Sequence, residues 1–145
     1  MTEYKKNTAT EVEILDHLKK SDQQFIPQLS SRVNLEVYAQ KLSKFADNFE
    51  VWVDNELAGI VAAYMNDRLE GRAFISNVSV LEKFTGKGYA SRLLENCIQD
   101  AKSNCFKEVV LEVNSNNQPA CSLYYKKGFR LKENHNDIFK LILEI

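Results

Sequence analysis

The sequence predicts an α/β domain built on one mixed β-sheet with helices on both faces. Three observations carry this. Apolar residues recur at helical spacing early in the chain, at Val12, Leu15 and Leu18 and again at Leu35, Tyr38, Leu42 and Phe45. The period then shortens to strand-like runs, Phe49 to Val53, Leu57 to Tyr64 and Ala73 to Val80, with turn residues between them. Beyond Leu81, strands alternate with single helices, and a strand joined to the next by one helix implies parallel pairing.

Each element has a local reason. Thr10 and Glu13 have capping-box spacing, so a first helix runs from Thr10 to Lys20. Ser21 to Val33 reads as a loop, and Asn34 caps a second helix. Asp54-Asn55-Glu56 turns the first two strands into an antiparallel hairpin, and Asn66 to Gly71 makes a second turn. A helix carrying Leu93, Leu94, Cys97, Ile98 and Ala101 runs to about Asn104. Glu108 to Val113 is a strand, and Gln118 to Lys127 is a helix stopped by Gly128. Phe129 to Lys132 and Ile138 to Ile145 form a last hairpin around residues 133–137, and a short strand at Tyr4 to Asn7 precedes the first helix.

The 145 residues suit a single domain spanning 1–145, long enough to bury a core without disulfides. With 44% hydrophobic and 27% charged residues, the composition is that of a folded domain. A net charge of −1 argues against a nucleic-acid partner. Cys97, Cys105 and Cys121 lack metal-site spacing and read as reduced thiols, so no metal is expected. There is no run of about 20 apolar residues to cross a membrane. Met1 to Lys6 opens no signal-like stretch, and a cytoplasmic protein is expected.

The chemistry starts at Val78-Ser79-Val80-Leu81-Glu82-Lys83-Phe84-Thr85-Gly86-Lys87-Gly88-Tyr89-Ala90, a strand, a glycine loop and a helix start. A helix start presents N–H groups with no internal partner and positive dipole potential, which together suit phosphate. The loop is not a Walker loop, since glycine-lysine-serine/threonine is absent, nor a complete dinucleotide fingerprint. A second segment carries Asn117-x-x-Ala120-x-x-Leu123-Tyr124-x-Lys126-x-Gly128-Phe129. It resembles the closing motif of the GCN5-related N-acetyltransferases, and the upstream loop resembles the acetyl-CoA pyrophosphate loop of the same superfamily. The resemblance covers roughly residues 51–129. Thr85 stands where the family usually has Gln or Arg, and Glu82 where Pro is common.

The resemblance implies a sheet whose central strands splay, with the pantetheine arm of acetyl-CoA pairing along Val78 and Val80 like an added strand. It implies that Gly86, Lys87, Gly88, Tyr89, Ala90 and Ser91 cradle the pyrophosphate and that Asn117 bonds the pantetheine arm, or else fixes the start of its helix. It also places the Tyr124 hydroxyl near the coenzyme sulfur as proton donor, and makes the Val80 N–H an oxyanion donor. Glu112 is the candidate base. An unpaired carboxylate in an apolar strand is expensive, and burial raises a carboxyl pKa toward a useful range. Its spacing to Tyr124 resembles the Glu–Tyr pair of ribosomal-protein alanine N-acetyltransferases; Glu70, His135 and a water chain remain alternatives.

Outside both motifs, Phe25, Arg32, Tyr38 and His135 are candidates for the acceptor pocket. The implied activity is direct acetyl transfer to a primary amine of a small molecule such as an amino sugar, amino acid or polyamine. The alternatives are a protein N-terminal or lysine amine, and a non-catalytic acyl-CoA sensor. The edge formed by Ile138 to Ile145 offers a place for a homodimer.

Overall fold

The computed structural model describes residues 1–145. All seven strands join one sheet. In chain order the elements are β1 (Thr2–Lys6), α1 (Glu11–Ser21), α2 (Leu35–Phe45), β2 (Asp47–Val53), β3 (Glu56–Asp67) and β4 (Arg72–Val80), then α3 (Tyr89–Ser103), β5 (Glu108–Asn114), α4 (Gln118–Lys126), β6 (Arg130–His135) and β7 (Ile138–Glu144). The strand order is β1-β2-β3-β4-β5-β7-β6. Only β4 and β5 pair in parallel.

Helices cover both faces. Leu93, Leu94, Cys97, Ile98 and Ala101 of α3 and Cys121 and Tyr124 of α4 pack in one core cluster with Phe49, Val51, Val61, Ala63 and Leu111. Ile14, Leu18, Ala39 and Leu42 of α1 and α2 pack in a second cluster with Ile60 and Ala62. Consecutive β3 residues therefore serve opposite faces, as strand geometry requires. This explains why Leu57 to Ala63 is a continuous buried run.

Local signals in the sequence act as read. The Thr10–Glu13 capping box forms in both directions, and the Asn34 side chain caps α2 by accepting from the Val37 N–H. Three expectations need correction. Val12 is 74% exposed and Phe45 62% exposed. The buried stripe of α1 is instead Ile14, His17, Leu18 and Ser21, the i, i+3, i+4, i+7 face, and α2 buries Ala39 and Leu42. The last turn is only Asn136-Asp137, both at positive φ, which is the two-residue hairpin solution. Finally, β7 is not an edge. It pairs with β5 from Glu108↔Glu144 to Asn114↔Ile138 and with β6 on its other side. The exposed edges are β1 and β6.

The feature that positions the site is a bulge. Ala62 pairs with Asn77 and Ala63 with Ile75, so Ser76 has no partner on β3. The Tyr38 hydroxyl from α2 donates to the Ser76 carbonyl at 3.0 Å and lies 2.6 Å from Ser76 Oγ. A bulge bends its strand. Pairing of β4 with β5 runs from Arg72↔Glu108 to Ile75↔Leu111 and stops there. Beyond that point the two strands diverge.

Candidate active site

A cleft of about 530 Å³ opens where β4 and β5 part, walled by residues 76–80 and 112–114 and by Asn117, Ala120, Leu123 and Tyr124 of the α4 segment. The Leu81 N–H donates to the Ala58 carbonyl of β3 at 2.8 Å. Strand alternation then turns the Val80 and Val78 N–H groups away from β3, into the cleft. The Val80 carbonyl on that side accepts from Gln24 Nε2 at 2.9 Å.

At the mouth, no backbone N–H from Gly86 to Ser91 has a hydrogen-bond partner in the protein; the first bond of α3 is Arg92 N–H to Gly88 C=O. Gly86 and Gly88 sit at φ +77 and +80, a region costly for other residues. A Cβ at either would meet no protein atom within 4 Å, so the space in front of these amides is open. Backbone curvature and six free donors make an anion cradle at a helix start. Lys87 is exposed beside it. Thr85 donates its hydroxyl to the Glu82 carbonyl at 2.7 Å and closes the preceding turn.

Tyr124 is 6% exposed, edge-on to Phe129, and lines the cleft. Burial pushes its phenol up, so it holds its proton throughout the neutral range. Asn117 accepts from the Ala120 N–H at 3.3 Å and so caps α4 while lining the cleft. Val78 packs with the core on the α3/α4 side.

The opposite side of the cleft belongs to α1, α2 and their connection. Leu111 and Val113 face the α3/α4 core, so Glu112 between them points the other way. The expectation that Glu112 is buried is corrected: it is exposed, at the cleft wall, and lies opposite Lys140 of β7. Phe25 and Arg32 also line the cleft. Arg32 and Glu112 are the only charged residues of its wall. The connection is held by Asp22, whose carboxylate accepts from the Ser30 hydroxyl, the Ser30 N–H and Gln28 Nε2; these bonds, that of the Ser30 hydroxyl foremost, lower its pKa.

Tyr38 and His135 are not brought to the cleft wall. Tyr38 is committed to the bulge, where burial pushes its pKa up to about 12. His135 is exposed near the β6–β7 turn. The Tyr89 ring leans on Tyr4 of β1, leaving only its backbone toward the loop. The sequence reading missed a buried chain: His17 Nδ1 lies 2.9 Å from the Leu57 carbonyl, His17 Nε2 lies 2.8 Å from Ser79 Oγ, and Asn77 Nδ2 lies 2.9 Å from the same oxygen. The signals were available. His17 falls on the face of Ile14, Leu18 and Ser21, and Ser76-Asn77 breaks the alternation of β4.

The sequence matches the model of the acetyltransferase (GNAT) family over residues 13–129. The chain belongs to that family. A streptothricin acetyltransferase of Escherichia coli is 35% identical over 83 residues, covering 57% of this chain and 47% of the relative. The N-alpha-acetyltransferase 30 of Saccharomyces cerevisiae is 30% identical over 134 residues, covering 81% and 75%. The chain spans about half the length of the streptothricin relative and of the Schizosaccharomyces pombe N-alpha-acetyltransferase 30, at 47% and 53%. Among solved structures, the PaiA N-acetyltransferase of Thermoplasma acidophilum, in complex with coenzyme A, superimposes with a TM-score of 0.80 at 15% identity, covering 100% of this chain and 99% of the other. The ribosomal-protein-S18-alanine N-acetyltransferase of Escherichia coli gives 0.79 at 17%, covering 100% and 94%. The GNAT fold thus extends over the whole chain.

Proposed function

We propose that this GNAT protein transfers an acetyl group from acetyl-CoA directly to a primary amine of a small molecule. The observation that carries the reading is the junction of the β4–β5 splay with the free amides of Gly86 to Ser91. Those amides, with Lys87 nearby, hold the pyrophosphate of the coenzyme. Val78 and Val80 offer backbone groups along which the pantetheine arm lies as an added strand, and Asn117 stands beside it. When bound, the coenzyme supplies an activated acetyl group.

The chain's own groups do the rest. Glu112 takes the proton of the incoming ammonium or amine, since only the neutral amine attacks. The Val80 N–H, turned into the cleft, polarises the acetyl carbonyl as charge develops on its oxygen. Tyr124, kept protonated by burial, donates to the departing thiolate. Cys121 is buried with its thiol pKa raised by burial and is absent from the cleft wall, which favours direct transfer over a cysteine-bound intermediate.

A second reading, a protein N-terminal amine as acceptor, is favoured by the N-alpha-acetyltransferase relatives and by the Glu112–Tyr124 spacing. Thiol release from acetyl-CoA separates the two. Amino sugars, amino acids and polyamines are compared with peptides bearing a free N-terminus. The small-molecule reading expects turnover with a member of the first group; turnover with peptides alone reverses the assignment. Coenzyme binding without release from either group would make the protein a sensor.

A further inference from the structure

Asn77 is 3% exposed, and its Oδ1 is buried without a hydrogen-bond partner. An orphaned acceptor of this kind needs an explanation. The chain of bonds behind it determines how the amide stands. The Leu57 carbonyl can only accept, so His17 Nδ1 carries the proton between them. Burial pushes the His17 pKa down to about 4, so the ring is neutral near pH 7 and Nε2 is an acceptor. Ser79 therefore gives its single proton to Nε2. Its oxygen is left to accept, and Asn77 must present Nδ2 to it. Turning the amide over would set Oδ1 against an oxygen with no proton to offer. The relay from Leu57 to Asn77 thus holds Oδ1 away from Ser79.

Asn77 lies at the wall of the cleft, immediately after the bulge. It follows Ser76 and faces α1, on the same side of the sheet as Glu112. Its oxygen is closed to bulk water, so no solvent donor satisfies it in the free protein. We propose that Asn77 is an acceptor-binding residue: its Oδ1 takes a hydrogen bond from one N–H of the primary amine standing over the splay. Ser79 and His17 are positioning residues that hold the amide in this orientation. The inference deepens the transfer reading above and rests on it.

The chemistry favours an amide at this point. A neutral carbonyl oxygen accepts one amine N–H and leaves the nitrogen lone pair free to attack. A carboxylate in the same place would stabilise the ammonium form, which has no lone pair to use. The arrangement therefore selects amines that retain an N–H and favours the ammonium form far less than a carboxylate would.

The test compares Asn77→Leu, Asn77→Asp, Ser79→Ala and Ser79→Thr with the native protein, using acetyl-CoA and the best-used amine of the panel. Asn77→Leu removes the orphaned oxygen and is expected to raise KM for the amine about tenfold, with coenzyme affinity unchanged. Ser79→Ala raises KM severalfold, and Ser79→Thr restores it. Asn77→Asp, which keeps the shape should the leucine variant not fold, displaces the pH–rate profile to higher pH. A native KM in Asn77→Leu, or an unmoved pH profile in Asn77→Asp, overturns the proposal while leaving the transfer reading intact. If coenzyme binds but no amine is turned over, the transfer reading fails by itself. Benzylamine titrated into the coenzyme A complex then decides the point: a rise in melting temperature that Asn77→Leu abolishes supports the site, and an equal rise or none overturns it.

Discussion

The α3/α4 wall of the cleft draws its parts from one stretch of chain, residues 78–124. The α1/α2 wall gathers Phe25 and Arg32 from the N-terminal segment and Asn77, Ser79 and Glu112 from two strands, with His17 buried behind Ser79. The first wall presents mostly backbone groups: strand amides at Val78 and Val80 and the free donors of Gly86 to Ser91. Backbone chemistry needs only the right φ/ψ, so a few glycines and a helix start define it. The second wall works through side chains whose orientation depends on packing between distant elements. The same fold can therefore keep the backbone side of the cleft while its side-chain side is rebuilt.

The largest test of this contrast is Tyr124→Phe, which removes one hydroxyl from the α3/α4 wall and keeps the ring packed on Phe129. Turnover is expected to fall by about 10²–10⁴-fold, with coenzyme affinity by calorimetry within about twofold of native. An unchanged kcat would remove the phenol from the mechanism.

Behind the opposite wall, His17 predicts a pH signature. The unfolded ring titrates near 6.5 and the folded one near 4. Between these values the unfolded chain takes up a proton that the folded chain refuses. Stability is therefore fully present above pH 6.5 and falls as pH drops toward 4, by about 3 kcal/mol. Urea unfolding across that window should show this slope in the native protein and lose it in His17→Gln. Equal slopes would mean that the buried ring does not set the acid response.

A smaller effect is expected from Gly88→Val. The residue at φ +80 begins α3, and a β-branched side chain there strains the loop by about 1–2 kcal/mol. Its side chain also enters the open space before the amides. Coenzyme affinity should fall about tenfold or more, while a fold carried by the two core clusters survives by circular dichroism. The smallest effect is Thr85→Arg, which adds a cation beside the cradle. Coenzyme affinity should improve about twofold to fivefold, in line with a partly exposed charge at a helix start, and the gain should shrink with added salt.

What was legible in the sequence follows the same division. The turn at Asp54-Asn55, the caps at Thr10 and Asn34, the parallel crossover and the glycine loop are all local signals, and the structure contains each of them. Glu112 was found by its charge in an apolar strand, but its exposure depends on which face Leu111 and Val113 take. That is set by α3 and α4 packing from elsewhere in the chain. Tyr38 looked like a pocket aromatic because nothing local reveals that Ser76 bulges toward it. His17 was hidden because a stripe drawn through Val12 and Leu15 instead of Ile14 and Ser21 puts the imidazole on the wrong face. The placement of β7 inside the sheet depends on β5, some thirty residues earlier, and on no signal within β7 itself.

The most direct measurement is a calorimetric titration of the native protein and Gly88→Val with acetyl-CoA, coenzyme A and NAD. The account predicts one-to-one binding of acetyl-CoA and coenzyme A to the native protein, none of NAD, and a marked loss in the variant. Failure of the native protein to bind either coenzyme, or equal binding by Gly88→Val, would contradict the claim that the coenzyme lies in the splay with its pyrophosphate on the amides of Gly86 to Ser91.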